Sequence, residues 1–295
     1  MLTHQISKPV MPARVVVLGA RGFVASNLIH HLSDQQIPVV GLSSDDLDLT
    51  ASSSVSTLAE LLREDDSLVF ISALTPDRGR DIKTMMKNFS MGQSVCDALA
   101  RRSCAHVVYL STDAVYADEA TLVREQSCVQ PESFHGTMHI VRERMLIETL
   151  KATSTPLALL RPSLLFGPGD THNGYGPNRF VRTALDSKQV ALFGGGEEKR
   201  DHVYIDDVSI LTAQVLAHRS AGVLNLATGE SKSFREVADC VAALVPGTDI
   251  QPSQRVNPIT HRHFDISALV AAFPDFRFTD VRTGLERMVE EATAG

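Results

Sequence analysis

The sequence predicts an α/β fold, a doubly wound parallel sheet with a smaller C-terminal region, and three observations predict it. Short β-branched runs alternate with helix-length segments. The first run ends on a glycine-rich turn that opens a helix, and the later part of the chain loosens into glycine–proline turns. Strands alternating with helices imply a parallel sheet. Right-handed crossovers then place helices on both faces and leave a ligand site at the carboxyl ends of the strands.

The elements follow in order. Arg14-Val15-Val16-Val17-Leu18 is a short β-branched strand ending at Gly19, and Phe23 to Leu32 carries helical apolar spacing. Further strands are expected at Pro38 to Leu42, Leu68 to Ala73, His106 to Leu110 and Leu157 to Leu160, mostly separated by helix-length segments. Beyond Arg161, Gly167-Pro168-Gly169-Asp170 and Gly174-Tyr175-Gly176-Pro177 interrupt any regular element. A strand at Gly222 to Ala227 and a helix at Phe234 to Leu244 follow. This divides the chain into residues 12–165, a Rossmann-type dinucleotide-binding domain, and residues 166–295, mainly a substrate-binding region interleaved with the last strands of the sheet.

Composition excludes several classes. With 295 residues, 43% apolar and 21% charged, the chain can bury a full core. No run approaches the ~18 apolar residues of a membrane span, and the opening MLTHQISKPVMPAR lacks the apolar run of a secretory signal, so no membrane partner and a cytoplasmic location are expected. A net charge of −7 argues against a nucleic-acid surface but permits a local basic pocket. Cys96, Cys104, Cys128 and Cys240 are scattered with no C-x-x-C pair, which indicates neither a zinc site nor a disulfide framework.

Gly19-Ala20-Arg21-Gly22-Phe23-Val24-Ala25 lies between a strand and a helix, where glycines let backbone amides and a helix N-terminus approach a pyrophosphate. The expected ligand is NAD or NADP, held by Gly19, Arg21, Gly22, Phe23 and Val24; the competing reading is a tight turn without a ligand. After the second strand, Ser43 stands where an acid would hold the adenosine ribose, followed by Asp45 and Asp46. The acidic pair favours NAD, and no arginine is expected nearby to support a 2′-phosphate. Asp48 and Leu49 either contact the adenine or begin the next turn, and Ala73, at the end of the third expected strand, is a further cofactor position.

GARGFVA, LSTDAVYAD, the stretch from Arg161 to Gly169 and GGGEEKRDHVYIDDV together resemble extended short-chain dehydrogenases of the NAD-dependent epimerase/dehydratase family, over nearly the whole chain. The resemblance implies the same sheet and an enzyme that oxidises or reduces a carbinol of a nucleotide sugar or similar polyol during epimerisation, dehydration or reduction. It places Thr112, three residues before Val115, on the reacting oxygen, with Asp113 beside it; the bland reading is that both cap a turn. It also places Arg200 on a substrate diphosphate, with Asn178, Arg179 and Arg255 or Arg262 as weaker candidates; a solvated salt bridge is the competing reading and the favoured one for Arg262. Phe193 falls near a nucleobase or in the core. Relatives pair as dimers through two long helices, which the resemblance places at Ile82 to Arg101 and Gly136 to Leu150, so a homodimer is implied.

The departure is the family's Tyr-x-x-x-Lys motif, where the resemblance puts His135 at the tyrosine and His139 at the lysine. Phe134, offset by one residue, has no hydroxyl. Two histidines four apart share a helical face, and imidazole donates or accepts a proton near neutral pH, so His135 is the expected acid/base with His139 orienting the cofactor ribose. The alternatives are a catalytically silent dinucleotide-binding homologue with a regulatory or assembly role, surface histidines of no function, or a metal site completed by Glu143.

Overall fold

A computed structural model describes residues 1–256 and 258–294; Gly295, where the expected second region ends, lies outside them. In chain order, β1 (Arg14–Leu18), α1 (Phe23–Asp34), β2 (Val39–Leu42), α2 (Ser54–Leu61), β3 (Asp66–Phe70), α3 (Ile82–Arg101) and β4 (His106–Leu110) alternate without exception. Next come β5 (Leu122–Val123), α4 (Phe134–Lys151), β6 (Leu157–Pro162), β7 (Leu164–Phe166), α5 (Pro177–Ser187), β8 (Gln189–Phe193) and β9 (Lys199–Tyr204). The chain continues through α6 (Ile205–Ala217), β10 (Gly222–Leu226), β11 (Ser231–Ser233), α7 (Phe234–Leu244), β12 (Asp249–Ser253), β13 (His263–Phe264), α8 (Ser267–Ala272) and α9 (Val281–Ala294).

Six strands form the central sheet in the order β10-β6-β4-β3-β1-β2. The pairings from β2 to β6 are parallel, with Val16 opposite Val40 and Leu68, and Val108 opposite Val69 and Ala158. Buried on both faces, β1, β3 and β4 read as near-continuous apolar runs because a parallel sheet is covered on both sides. β3 starts earlier than the apolar pattern suggests. Asp66 is drawn into the ladder opposite Arg14, whose guanidinium binds its carboxylate at 2.6 and 2.7 Å, and the strand ends at Phe70 rather than Ala73.

The chain divides into two compact units, each assembled from three segments: 1–117, 125–162 and 208–225 form the first, and 118–124, 163–207 and 226–295 the second. One break falls after Pro162, and residues 208–225 return to the first unit and carry most of α6 and β10. Its core packs Val16, Leu18, Leu68, Phe70, Val107 and Tyr109 of the sheet against Val95 and Leu99 of α3 and Leu146 and Leu150 of α4. Within the second unit, β7, β9 and β11 form one small sheet, β8 pairs with β12, and Phe166, Phe180, Leu192, Tyr204, Phe234 and Leu285 centre the core. Among the described residues no helix is long and apolar enough to cross a membrane.

Candidate active site

The sheet's strand order reverses between β1 and β3, the position where an open parallel sheet leaves a crevice at its carboxyl end. Gly19 turns the chain there with φ +99°, and a Cβ on it would lie 2.9 Å from Ser72 Cα, so only glycine passes. Gly22 caps α1 without a side-chain hydrogen bond, and no acid stands in the first helical turn. The leading amides of α1 therefore face out of the turn in the arrangement that receives a phosphate. This cradle fits a dinucleotide pyrophosphate: Gly19, Arg21 and Gly22 form its rim, Val24 is half-buried in the first helical turn, and Phe23 is packed beneath it. Ala73 lies half-buried in the loop after β3.

At the end of β2, Ser43 donates from both its amide and hydroxyl to Asp46, at 2.9 and 2.6 Å, and these bonds hold the Asp46 carboxyl below its usual range. Asp45 binds Arg21 at 2.6 Å. An arginine therefore does stand beside the acidic pair, contrary to expectation. It comes from the glycine turn, twenty-four residues earlier, and the fold delivers it. Asp48 accepts from the amide and hydroxyl of Thr50, which also holds its carboxyl low. Leu49 is packed in the core, so only its backbone is available to a ligand.

β4 ends at Leu110 and releases the next residues into a short 3-10 turn, Asp113–Val115. Thr112 caps that turn by accepting from the Ala114 amide at 3.2 Å. Capping uses a lone pair and leaves the hydroxyl proton to donate, so the bland and functional readings coexist in one side chain. Asp113 is half-buried next to it.

α4 begins at Phe134, capped by Ser133, which accepts from the Gly136 amide at 3.1 Å. Gly136 is forced: a Cβ there would come within 2.0 Å of the Ala114 carbonyl oxygen, so the start of α4 packs directly on the turn after Thr112. His135, in the first turn, lines a cavity of about 250 Å³ together with Leu74, Arg80, Thr84, Ser133 and Phe134. Phe134 is 46% exposed. His139, one turn on, is only 4% exposed, its ring 4.6 Å from that of His135 at 77° and its Nδ1 2.7 Å from the Tyr109 hydroxyl. The two histidines do share a face, but His135 meets the cavity while His139 stands behind it in the core, where burial, His135 and Arg142 push its pKa well below the imidazole range. The expected ribose contact at His139 is thus displaced inward. Glu143, considered as a metal ligand, binds Arg161 at 2.5 and 2.9 Å and Ser111 at 2.6 Å. No three His, Cys, Asp or Glu gather as a metal site among the described residues.

In the second unit, Arg200 donates to the Thr260 carbonyl and hydroxyl at 2.7 and 2.8 Å and to the Lys199 carbonyl. Asn178 is buried and braces the Gly167–Asp170 turn, accepting from Gly167 and donating to Asp170 at 2.6 Å. Arg179 is exposed in the first turn of α5. Arg255 is taken up by Glu197 and Glu198, and Arg262 by Asp118 at 3.0 Å. Phe193 is not core: it is 55% exposed and stacks on Tyr175 at 4.3 Å. The apolar cavity wall and the Tyr109 and Arg142 side chains behind the histidines carry no sequence motif, and Tyr109 reads simply as a strand residue.

Comparison with known proteins gives a consistent result. Residues 15–227 match the model of the NAD dependent epimerase/dehydratase family. The ADP-L-glycero-D-manno-heptose-6-epimerase of Alkalilimnicola ehrlichii is 25% identical over 94% of this chain and 96% of its own. Among solved structures, MoeE5 in complex with UDP-glucose and NAD superposes with a TM-score of 0.82 at 22% identity, covering 95% of this chain and 99% of that one. A GDP-L-fucose synthetase from Naegleria fowleri bound to NADP gives 0.86 at 14% identity, over 100% and 98%.

Proposed function

The chain belongs to the NAD-dependent epimerase/dehydratase family, and from that premise we propose that it is an NAD(P)-dependent enzyme acting on a nucleotide sugar, with His135 in place of the usual tyrosine. The observation that carries this reading is the position of His135: partly exposed, in the first turn of α4, on the wall of a cavity. The nucleotide-sugar enzymes among its relatives support the substrate class.

When bound, the dinucleotide supplies a nicotinamide that takes a hydride from a carbinol carbon and can return it. The cradle at Gly19 and Gly22 and the open N-terminus of α1 hold its pyrophosphate, and the corner of Ser43, Arg21 and Asp45 meets its adenosine ribose. Thr112 donates a hydrogen bond to the substrate oxygen. His135 takes the hydroxyl proton as the carbinol C–H bond breaks and gives it back on reduction. Arg200 is the phosphate contact because a planar guanidinium donates two parallel hydrogen bonds to phosphate oxygens. The reading includes a homodimer through α3 and α4, where Ile82 and Met86 are exposed; sedimentation of the purified protein as a monomer would remove that part.

The test is single-turnover absorbance at the reduced-nicotinamide band with a panel of sugar nucleotides. Replacement His135→Ala is expected to slow the change roughly a hundredfold or more while dinucleotide binding persists. Full activity in that variant would sink the role of His135. Silence of the wild-type protein across the panel would sink the enzyme reading.

A further inference from the structure

We propose that Arg142 is a cofactor-positioning residue: from inside the core it clamps the lip of the crevice that follows β3, and it holds there a positive charge that the dinucleotide's diphosphate neutralises. The inference rests on the dinucleotide site and not on the role proposed for His135, so the two can fail separately.

An open parallel sheet binds its ligand where the strand order reverses, and the two lips of that crevice are the glycine turn after β1 and residues 71–74 after β3. The lips touch: the Ile71 amide donates to the Leu18 carbonyl at 3.2 Å, and a Cβ on Gly19 would meet Ser72 Cα at 2.9 Å. Further holds come from the helices behind. Asn88, buried on α3, accepts from the Leu74 amide and donates to its carbonyl, both at 2.9 Å. Arg142, on α4 and only 1% exposed, donates through Nη1 to the Ser72 carbonyl at 2.8 Å. Its Nε and Nη2 donate to the Asn88 carbonyl at 2.8 and 2.6 Å, and Nη2 also to Asn88 Oδ1 at 3.2 Å. The rigid fork of a guanidinium thus spans the lip and the residue that anchors it. Ala73 stands between the held residues, half-buried and with no hydrogen bond of its own among the described residues. A backbone group kept from water needs a partner, so the Ala73 peptide is the part of this lip left to meet a ligand.

The charge of Arg142 has no counter-ion in the core. Among the described residues its partners are uncharged oxygens, with the Phe70 ring centre 4.8 Å from the guanidinium carbon, and no carboxylate pairs with it. Glu143, the next residue on α4, is committed to Arg161 and Ser111. Carbonyl oxygens satisfy the N–H groups but leave the net charge in place, and a charge in a low-dielectric interior acts further than a solvated one. Ser72 links that charge to the cradle: its carbonyl takes Arg142 while its Cα packs on Gly19, so one residue separates the cation from the turn that receives two phosphates. The fold makes room for it, since a Cβ on Gly92 of α3 would come 2.9 Å from Arg142 Cγ. With histidine at 139 in place of the family's lysine, Arg142 is the buried fixed cation of α4.

The experiment is titration of the whole protein with NAD, ADP and adenosine at low salt, in the wild type, Arg142→Met and Arg142→Lys. Arg142→Met is expected to weaken NAD and ADP roughly tenfold or more while adenosine, which has no phosphate, binds as before; Arg142→Lys should recover most of that loss. Three results overturn the proposal: adenosine weakened by the same factor, NAD affinity unchanged in Arg142→Met, or Arg142→Lys no better than Arg142→Met. If Arg142→Met does not fold, Asn88→Asp tests the same charge from the other side, because it puts a carboxylate where an amide oxygen now lies 3.2 Å from the guanidinium. NAD and ADP should then weaken relative to adenosine, and an unchanged ratio overturns the proposal. The expected affinities in a protein that turns over no sugar nucleotide uphold the role of Arg142 and overturn the proposed function instead.

Discussion

His106 and His202 are buried, and burial pushes both down to about 4 from an ordinary 6.5. Between those pH values the unfolded chain binds protons that the native state refuses, so stability is lost as pH falls through the window, by about 3 kcal/mol per histidine. Asp201 acts in the opposite sense. Burial raises it from 3.8 to about 6 despite hydrogen bonds from Thr228, Gly229 and Ser163, so the native state keeps its proton longer and stability falls as pH rises through that interval. Two histidines outweigh one carboxyl. The melting temperature should climb from pH 4 to 6.5 and climb less in His202→Leu; a flat wild-type profile would refute this balance. The Arg21–Asp45 pair gives a second prediction at this scale. Both side chains are exposed, and a surface pair is worth at most about 1 kcal/mol, so a 2′-phosphate can displace the carboxylate cheaply. Asp45→Ala should improve NADP affinity relative to NAD roughly fivefold, measured by titrating each cofactor. Arg21 was legible as a member of the glycine turn, but its meeting with Asp45 was not, because only the folded sheet brings the ends of β1 and β2 together.

At the scale of elements, β1, β4 and α7 begin and end where the sequence pattern puts them, since β-branched runs or a Ser233–Glu236 capping box mark their limits. α4 shows why the site was only half legible. It buries His139, Arg142 and Glu143 along with Met138, Leu146 and Leu150, so its inward face is part polar and hydrophobic spacing understates it. That spacing placed both histidines on one face but could not say which of them meets the cavity. β12 escaped notice because Pro252 and polar neighbours disguise a strand that pairs with β8 only across a long separation. The contact of Gly136 with the Ala114 carbonyl carries the prediction here. Gly136→Ala should cost about 2 kcal/mol or more and reduce turnover by moving His135, whereas Ser133→Ala should cost about 1 kcal/mol through the lost cap. Thermal melts and the absorbance assay separate the two; equal behaviour would refute the contact's role.

For the whole molecule, the alternation of strands and helices made the doubly wound sheet readable from one sequence, while the second unit, built from short strands split among small separate sheets, was readable mainly by family resemblance. The expected second region, residues 166–295, was read as interleaved with the last strands of the sheet, and residues 208–225 return to the first unit. That return supplies β10 beside β6, and Ser220, whose carbonyl meets buried His106 at 2.7 Å; the opening residues also bind there, Thr3 pairing with Ala221. A fragment of residues 1–165 should therefore fail to give a cooperative melt, as followed by circular dichroism. A sharp transition would show that the returning segment is dispensable.

The interleaving has a consequence for biosynthesis. The chain crosses between its units five times, and the last stretch required by the first unit ends at Asn225. A ribosome must release that residue before the N-terminal unit can close, and by then residues 163–207, which belong elsewhere, have already emerged. The nascent polypeptide thus carries β6 without its outer neighbour β10 while residues 163–221 are made, an exposed strand edge that early folding must keep from pairing wrongly.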